Sequence, residues 1–118
     1  MHAIRYNAIR DEFYVGNPFA QAVLTFRGGA NGQESPLRMI QGPKTMLDTP
    51  DTLEVDPVHD ELIVPEDDKV LFFPVAANGD VAPLRTIRSA PQDKVALAIG
   101  NPGAVGYDTK REEILVPN

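Results

Sequence analysis

The chain has 118 residues, with 17 acidic and 11 basic side chains, a formal net charge of −6 and no cysteine. This acidic balance argues against nucleic acid or an anionic membrane surface as a partner. The lack of cysteine excludes disulfides, thiolate metal sites and a cysteine nucleophile. Because no stretch approaches the roughly 18 apolar residues of a membrane helix, membrane insertion is not expected.

The chain repeats itself with a period near fifty residues. Residues 30–40 recur as residues 77–87, 47 positions later, and seven of the eleven residues are identical. The acidic segment 11–15 recurs at 60–64 and again at 112–116. A period of this length built from short strands is typical of a β-propeller, in which each repeat is a four-stranded sheet called a blade.

Short apolar runs separated by prolines and glycines predict strands, and none of them holds a helical period over ten residues. The second and third strands of each repeat are apolar on both faces, which favours sheets stacked face to face over a sandwich with wet outer faces. Val15 and Val64 are therefore expected in equivalent buried positions. The predicted strands are 2–6, 12–15, 22–26 and 37–41, then 52–55, 61–64, 69–73 and 84–88, then 104–107 and 113–116, with a further strand over 94–99 left open.

The predicted fold is all-β, with blades over about residues 2–48 and 52–90 and a partial blade over about 94–118. A closed propeller has typically four to eight blades. We therefore expect either a homo-oligomer or a chain that belongs to a longer propeller. Two blades alone would leave apolar sheet faces exposed, so a stable closed monomer is not expected.

Residues that the repeats share are expected to serve the fold. The dipeptides Asn31-Gly32 and Asn78-Gly79 predict the positive φ values of a tight turn, with a role in turn geometry alone. Arg38 and Arg85 occupy equivalent positions, and an ion pair repeated between blades or between strands would account for them. The expected partners are the repeated acids Asp11, Asp60 and Glu112.

A resemblance to a known family is carried by residues 55–65, 70–73 and 77–87, which read "vDpvhDEliVP…vlfFp.aANGdvaPLRtI". This pattern resembles the NHL-type β-propeller repeats of bacterial, often secreted, proteins, and it covers nearly the whole chain. The usual glycine-rich turn before the second strand is replaced here by an acidic pair. The resemblance implies an extracytoplasmic location, and related propellers include ligand sensors, protein-interaction platforms and metal-dependent lactonases.

Residues present in one repeat only are the candidates for contact or chemistry. Phe19 is an apolar tip between the second and third strands, where it is either a contact site or buried by a neighbouring blade. His59 replaces an arginine of the other repeats, and a histidine needs companions to act as a metal ligand or a general base. Asp67 and Asp68 follow Glu66 in a connection that lacks the spacing of a calcium loop and is expected to be a solvated acidic tip.

No set of residues in the sequence forms a catalytic constellation, a cofactor motif or a metal motif. The segment 42–45 lacks the frame of a phosphate-binding loop, and the serines and threonines have no His and Asp partners at the spacing of a triad. We expect a non-enzymatic structural or protein-interaction module without cofactor or bound metal. The alternatives are a metal-dependent lactonase-like enzyme with a divalent cation in a central channel and a small-ligand sensor.

Overall fold

A computed structural model of the chain describes residues 4–88, together with the backbone of residues 106–108 and 113–115. This part of the chain contains strands, one short 3-10 turn and no α-helix, which confirms the all-β class. The further strand left open over 94–99 lies outside the described residues. The strands are β1 (Ile4–Asn7), β2 (Glu12–Asn17), β3 (Ala22–Arg27), β4 (Arg38–Gln41), β5 (Glu54–Asp56), β6 (Glu61–Pro65), β7 (Lys69–Pro74), β8 (Arg85–Arg88), β9 (Gly106–Asp108) and β10 (Glu113–Leu115), and the 3-10 turn spans Pro43–Thr45.

The described strands form two four-stranded antiparallel sheets and one two-stranded sheet. Sheet 1 has the order β1-β2-β3-β4, sheet 2 has the order β5-β6-β7-β8, and β9 pairs with β10. Each strand lies within two residues of the position that the sequence repeat predicts. The two larger sheets are therefore two copies of one up-and-down unit, because each strand pairs with the strand that precedes or follows it along the chain.

Sheets 1 and 2 stack face to face in the same orientation. Strand β1 contacts β5, and Arg5 Nε lies 3.4 Å from Glu54 Oε2. The turns also correspond, since Arg10 in the β1–β2 turn lies 3.8 Å from Asp60 in the β5–β6 turn. The core between the sheets joins buried residues of sheet 1, the linker 42–53 and sheet 2, namely Tyr14, Val23, Ile40, Leu47, Leu53, Leu62, Val64, Leu71, Phe73 and Val75.

The two sheets differ in how they are covered. Four residues of β6 in succession, residues 62–65, are buried, so sheet 2 is shielded on both faces. In β2 the buried and half-buried residues alternate, so sheet 1 is shielded only on the face toward sheet 2. The expectation for the two valines is thus wrong for Val15, which is half-buried, and holds for Val64, which is fully buried. Val15 lies on the face of sheet 1 that has no described neighbour.

The repeated arginines form ion pairs within their own sheets. Arg38 Nη2 lies 2.7 Å from both carboxylate oxygens of Glu12, and Arg85 binds Glu61 at 2.8 and 3.1 Å. The partners are thus the second acids of the repeated acidic pairs. The first acids, Asp11 and Asp60, instead end the turns with φ of 54°, a left-handed conformation that Asp tolerates better than most residues. Glu112 lies outside the described residues.

The Asn-Gly loops also differ from the expectation in one respect. Gly32 and Gly79 have φ values of 64° and 85°, whereas the asparagines before them do not have positive φ. The glycines therefore provide the turn geometry. The asparagine of the second loop has a different role, because its side chain contacts the neighbouring sheet.

Candidate interaction surface

The face of sheet 1 that points away from sheet 2 carries two rows of apolar side chains. One row crosses all four strands and consists of Ile4, Val15, Leu24 and Met39. The other consists of Tyr6, Phe13 and Phe26, and the first two rings lie 4.9 Å apart between centroids. We call these seven residues the outer face. It includes no charged side chain, and Ile4, Tyr6 and Met39 are 57%, 49% and 38% exposed.

The equivalent face of sheet 2 is the one that packs against sheet 1. It contains Leu62, Val64, Leu71 and Phe73 at the positions of Phe13, Val15, Leu24 and Phe26, and all four are fully buried. Its cover includes Tyr14, Val23 and Ile40 from the opposite face of sheet 1, together with Leu47 and Leu53 of the linker. The outer face therefore has the pattern of a surface that, in the second repeat of this chain, serves to bind another sheet.

The loop between β7 and β8 holds the outer edge of sheet 1. Asn78 Oδ1 accepts a hydrogen bond from the N–H of Met39 at 3.0 Å, and Gly79 N–H donates to the carbonyl of Met39 at 2.7 Å. The N–H of Gln41 donates to the Gly79 carbonyl at 3.1 Å. Asp80 Oδ1 accepts the N–H of Lys44 at 2.7 Å. These hydrogen bonds give partners to backbone N–H and C=O groups on the outer edge of β4, which would otherwise be unpaired.

The corresponding loop of sheet 1 makes no hydrogen bond to a strand edge among the described residues. Residues 30–33 all lie at the surface, and a Cβ added at Gly32 would meet no atom within 4 Å. The loop keeps the internal hydrogen bonds of its counterpart: Ala30 N–H donates to the Arg27 carbonyl at 3.0 Å, and Ala77 N–H donates to the Pro74 carbonyl at the same distance. Loop 30–33 therefore has the same internal fold as loop 77–80. Within the described residues, however, it has no strand edge to bind.

Phe19 and His59 lie at opposite ends of their sheets. Phe19 is 92% exposed in the β2–β3 turn. His59 lies in the β5–β6 turn, with Nδ1 2.6 Å from Oδ2 of the buried Asp56. Asp56 also accepts the backbone N–H groups of Val58 and His59, as Asn7 does in the first repeat, so it has a structural role in the turn.

The three acids of the β6–β7 connection do not form one solvated tip. Asp67 is exposed, whereas Asp68 pairs with Lys69 at 3.0 Å, and this hydrogen bond lowers the pKa of Asp68. Glu66 is buried and accepts the backbone N–H groups of Asp48 and Thr49 at 3.2 and 2.8 Å. Burial raises the pKa of Glu66. The expectation of a solvated tip is therefore wrong for Glu66, which holds the linker between the sheets.

A buried polar network lies on the face of sheet 1 that packs against sheet 2. Tyr14 O–H donates to Glu12 Oε1 at 3.0 Å, and Asn7 Nδ2 donates to the Tyr14 oxygen at 3.1 Å. Burial raises the pKa of Tyr14 to about 12, so this hydroxyl stays protonated at neutral pH. Arg38 balances the charge of Glu12. Arg10 Nη1 also lies 4.0 Å from Glu12 Oε1, whereas the buried Nε of Arg38 has no hydrogen-bond partner among the described residues.

Three further observations concern ligands, metal ions and membranes. A pocket of about 340 Å³ is lined by Ala20, Gln21, Gln41, Gly42, Pro43 and Leu47, none of them charged. Among residues 4–88, no three His, Cys, Asp or Glu side chains come together in a geometry that could hold a metal ion. The described part of the chain also contains no helix that is long and apolar enough to span a bilayer.

Comparison with known proteins gives no match, either to a family model or to a curated protein sequence. The geometry alone therefore indicates what the surface can do. An apolar sheet face bordered by a strand-holding loop is suited to bind another sheet through side-chain burial and main-chain hydrogen bonds. Sequence reasoning predicted that two repeats alone would leave apolar sheet faces exposed, but it did not identify which face, and it missed the loop contact, for which the recurrence of Ala-Asn-Gly after 47 residues was the available signal.

Proposed function

We propose that this chain is a non-enzymatic structural and protein-interaction module built from β-propeller repeats, and that the outer face of sheet 1 is its protein-contact surface. The observation that carries the proposal is the equivalence of the outer face with the buried face of sheet 2. In one repeat this pattern of residues is covered by another sheet and fully buried, and in the other repeat its members are half-buried or exposed. A contiguous apolar patch of this kind on a soluble protein commonly marks an interaction site.

The size of the surface is consistent with such a role. Strands lie about 4.8 Å apart and the two rows lie about 7 Å apart along them, so four strands present an apolar area of a few hundred Å². That is the size of the largest patches on soluble monomers, which are often functional. A partner that also contacted loop 30–33 would bury more, toward the roughly 800 Å² per partner of a standard interface.

Two methionines of this chain provide the test. Met39 lies on the outer face and is 38% exposed, while Met46 lies in the linker and is 45% exposed. Because oxidation of methionine follows its exposure, hydroxyl-radical footprinting should oxidise both at similar rates in the dilute purified chain. In the cells that produce the protein, we expect Met39 to be protected relative to Met46. Equal oxidation of the two methionines in cells would refute the proposal.

A variant that makes the outer face polar supplies the control. Leu24→Lys places a charge in the centre of the longer apolar row, where the wild-type side chain is half-buried. In this variant the protection of Met39 in cells should disappear. Val58→Lys changes an apolar residue that is 69% exposed in the β5–β6 turn, away from the outer face, and should leave the protection unchanged.

A further inference from the structure

We propose that the outer face and loop 30–33 form one docking site for a four-stranded β-sheet of the same repeat type, and that the loop binds the edge of the fourth strand of that sheet. The inference rests on the proposed interaction function and names the class of partner. It is carried by a contact that the chain already makes once, between loop 77–80 and β4, and by the buried apolar face that accompanies this contact.

The loop between β7 and β8 joins the edge of sheet 1 as a single residue of parallel β-structure. Gly79 forms a parallel bridge with Ile40, in which Gly79 N–H donates to the Met39 carbonyl and Gln41 N–H donates to the Gly79 carbonyl. The side chain of Asn78 accepts a third hydrogen bond, from the Met39 N–H. All three bonds involve main-chain groups of β4. They therefore require a strand edge and not a particular side chain on that strand.

Loop 30–33 has the same sequence signal and the same backbone form. Ala-Asn-Gly is repeated in it, so that Asn31 stands where Asn78 stands in the second repeat. Gly32 has a φ of 64°, and Gly79 has a φ of 85°. Because the loop already has the conformation that binds a strand edge, little further ordering is needed, which reduces the entropic cost of binding.

The outer face supplies the apolar part of the site. Leu71, which has the position of Leu24 on sheet 2, is fully buried in the cluster that includes Tyr14, Val23 and Ile40 of sheet 1. A partner sheet with aromatic or β-branched side chains at those three positions would remove the half-buried Leu24 from solvent in the same way. Each loop belongs to the sheet whose face is to be covered, so one partner sheet can contact the loop and the outer face together.

Two ion pairs between sheets 1 and 2 indicate the charges of the partner. Arg5 of β1 lies 3.4 Å from Glu54 of β5, and Arg10 in the β1–β2 turn lies 3.8 Å from Asp60 in the β5–β6 turn. In sheet 1 the positions of Glu54 and Asp60 are held by Arg5 and Asp11. The partner is therefore expected to carry an acidic side chain opposite Arg5 and a basic side chain opposite Asp11.

A second folded copy of this chain does not offer such a sheet. The face of sheet 2 that points away from sheet 1 is already buried, with Ile63, Val70 and Phe72 at most 1% exposed. The edge of β4 is bonded to Gly79 of its own chain, so two outer faces in contact would leave both loops without a strand edge. The partner is therefore a further repeat from outside the two described sheets.

A chain with a duplicated repeat tests the inference. It consists of residues 1–52, a second run of residues 4–52, and residues 53–118. The downstream copy of the repeat keeps its contact with sheet 2, and the upstream copy should stack on the outer face of the downstream copy. The upstream copy carries Arg5→Glu, because this position is expected to face Arg5 of the downstream copy.

The same substitution made in either copy provides a matched control. In the downstream copy, Asn31→Ala removes a hydrogen bond to the upstream sheet and should raise the equilibrium constant of unfolding in urea about fivefold. In the upstream copy, whose loop has no further sheet to bind, it should leave this constant unchanged. Leu24→Ala should raise the constant by about 30-fold or more in the downstream copy, where the side chain is buried between sheets, and by much less in the upstream copy.

Equal effects in the two copies would overturn the inference, because neither the loop nor the face would then distinguish a covered sheet from an uncovered one. A second variant that duplicates residues 4–53 has one more residue at the junction, and failure of both duplicated chains to unfold cooperatively would also overturn the inference. The protection of Met39 in cells tests the proposed function separately, since a partner of another kind would protect Met39 even if the outer face did not accept the added sheet.

Discussion

The unequal burial of Val15 and Val64 leads to a quantitative prediction. The two valines hold the same position in the repeat, but Val64 is 0% exposed between the sheets and Val15 is half-buried on the outer face. Val64→Ala removes two buried carbon groups, worth about 1.6 kcal/mol at roughly 0.8 kcal/mol each. A residual cavity adds to this, so we expect a loss of about 2 kcal/mol in the free energy of unfolding. Val15→Ala should cost less, about 1 kcal/mol, because this side chain is only partly removed from solvent and its loss leaves no closed cavity.

Urea unfolding followed by circular dichroism measures both costs. The midpoint should move much further for Val64→Ala than for Val15→Ala, while the slope with denaturant stays unchanged. Measurements at low micromolar concentration and at a tenfold dilution separate folding from association, since a midpoint that depends on concentration reports binding. Equal shifts for the two variants would contradict the stacking of sheets 1 and 2 described above.

Three more comparisons test other parts of the structure. Arg38→Ala removes the 2.7 Å ion-pair partner of the buried Glu12 and should cost about 3 kcal/mol in urea unfolding, whereas Arg85→Ala removes a side chain that is 53% exposed and should cost under about 1 kcal/mol. Asn78→Ala should cost about 1 kcal/mol because it removes a hydrogen bond between sheets, whereas Asn31→Ala should leave the stability of the dilute chain within about 0.5 kcal/mol. Burial raises the pKa of Glu66 from its ordinary value of 4.5, so the folded state binds the proton more tightly and this residue's contribution to stability falls as pH rises from about 4.5 through the folded pKa. Glu66→Gln should remove that fall, as thermal midpoints across pH 4–8 will show, and an unchanged pH dependence would contradict it.

The strands could be predicted from the sequence because both local signals and the repeat point to them. Strands β6 and β7 contain the runs 61–64 and 70–73. They have the same places in sheet 2 as β2 and β3 have in sheet 1. The sequence does not show which face of a sheet has a neighbour. Phe13 and Leu62 look alike in the sequence, and only the order of stacking leaves one half-buried and the other fully buried.

The partners of individual polar residues were harder to predict. The sequence suggested that Arg38 would pair with the first acid of the repeated pair, but side chains alternate along β2, so only Glu12 shares the face of β4 that carries Arg38. Glu66 stands in a run of three acids that looks solvated. Its burial depends on two N–H groups of the linker, at Asp48 and Thr49, which are distant in the chain and need an acceptor.

The one-sided cover of sheet 1 also affects how the molecule opens. In a stack of repeats, stability is close to a sum over each unit and its nearest neighbours, so a unit with one neighbour opens more readily than a unit covered on both faces. Amide hydrogens of β7 should therefore exchange with solvent more slowly than those of β3, although the two strands have equivalent places in their sheets. A partner sheet on the outer face would slow exchange in β3 toward the rate of β7. The difference in exchange rate between the two strands therefore measures the fraction of molecules whose outer face is covered by a partner.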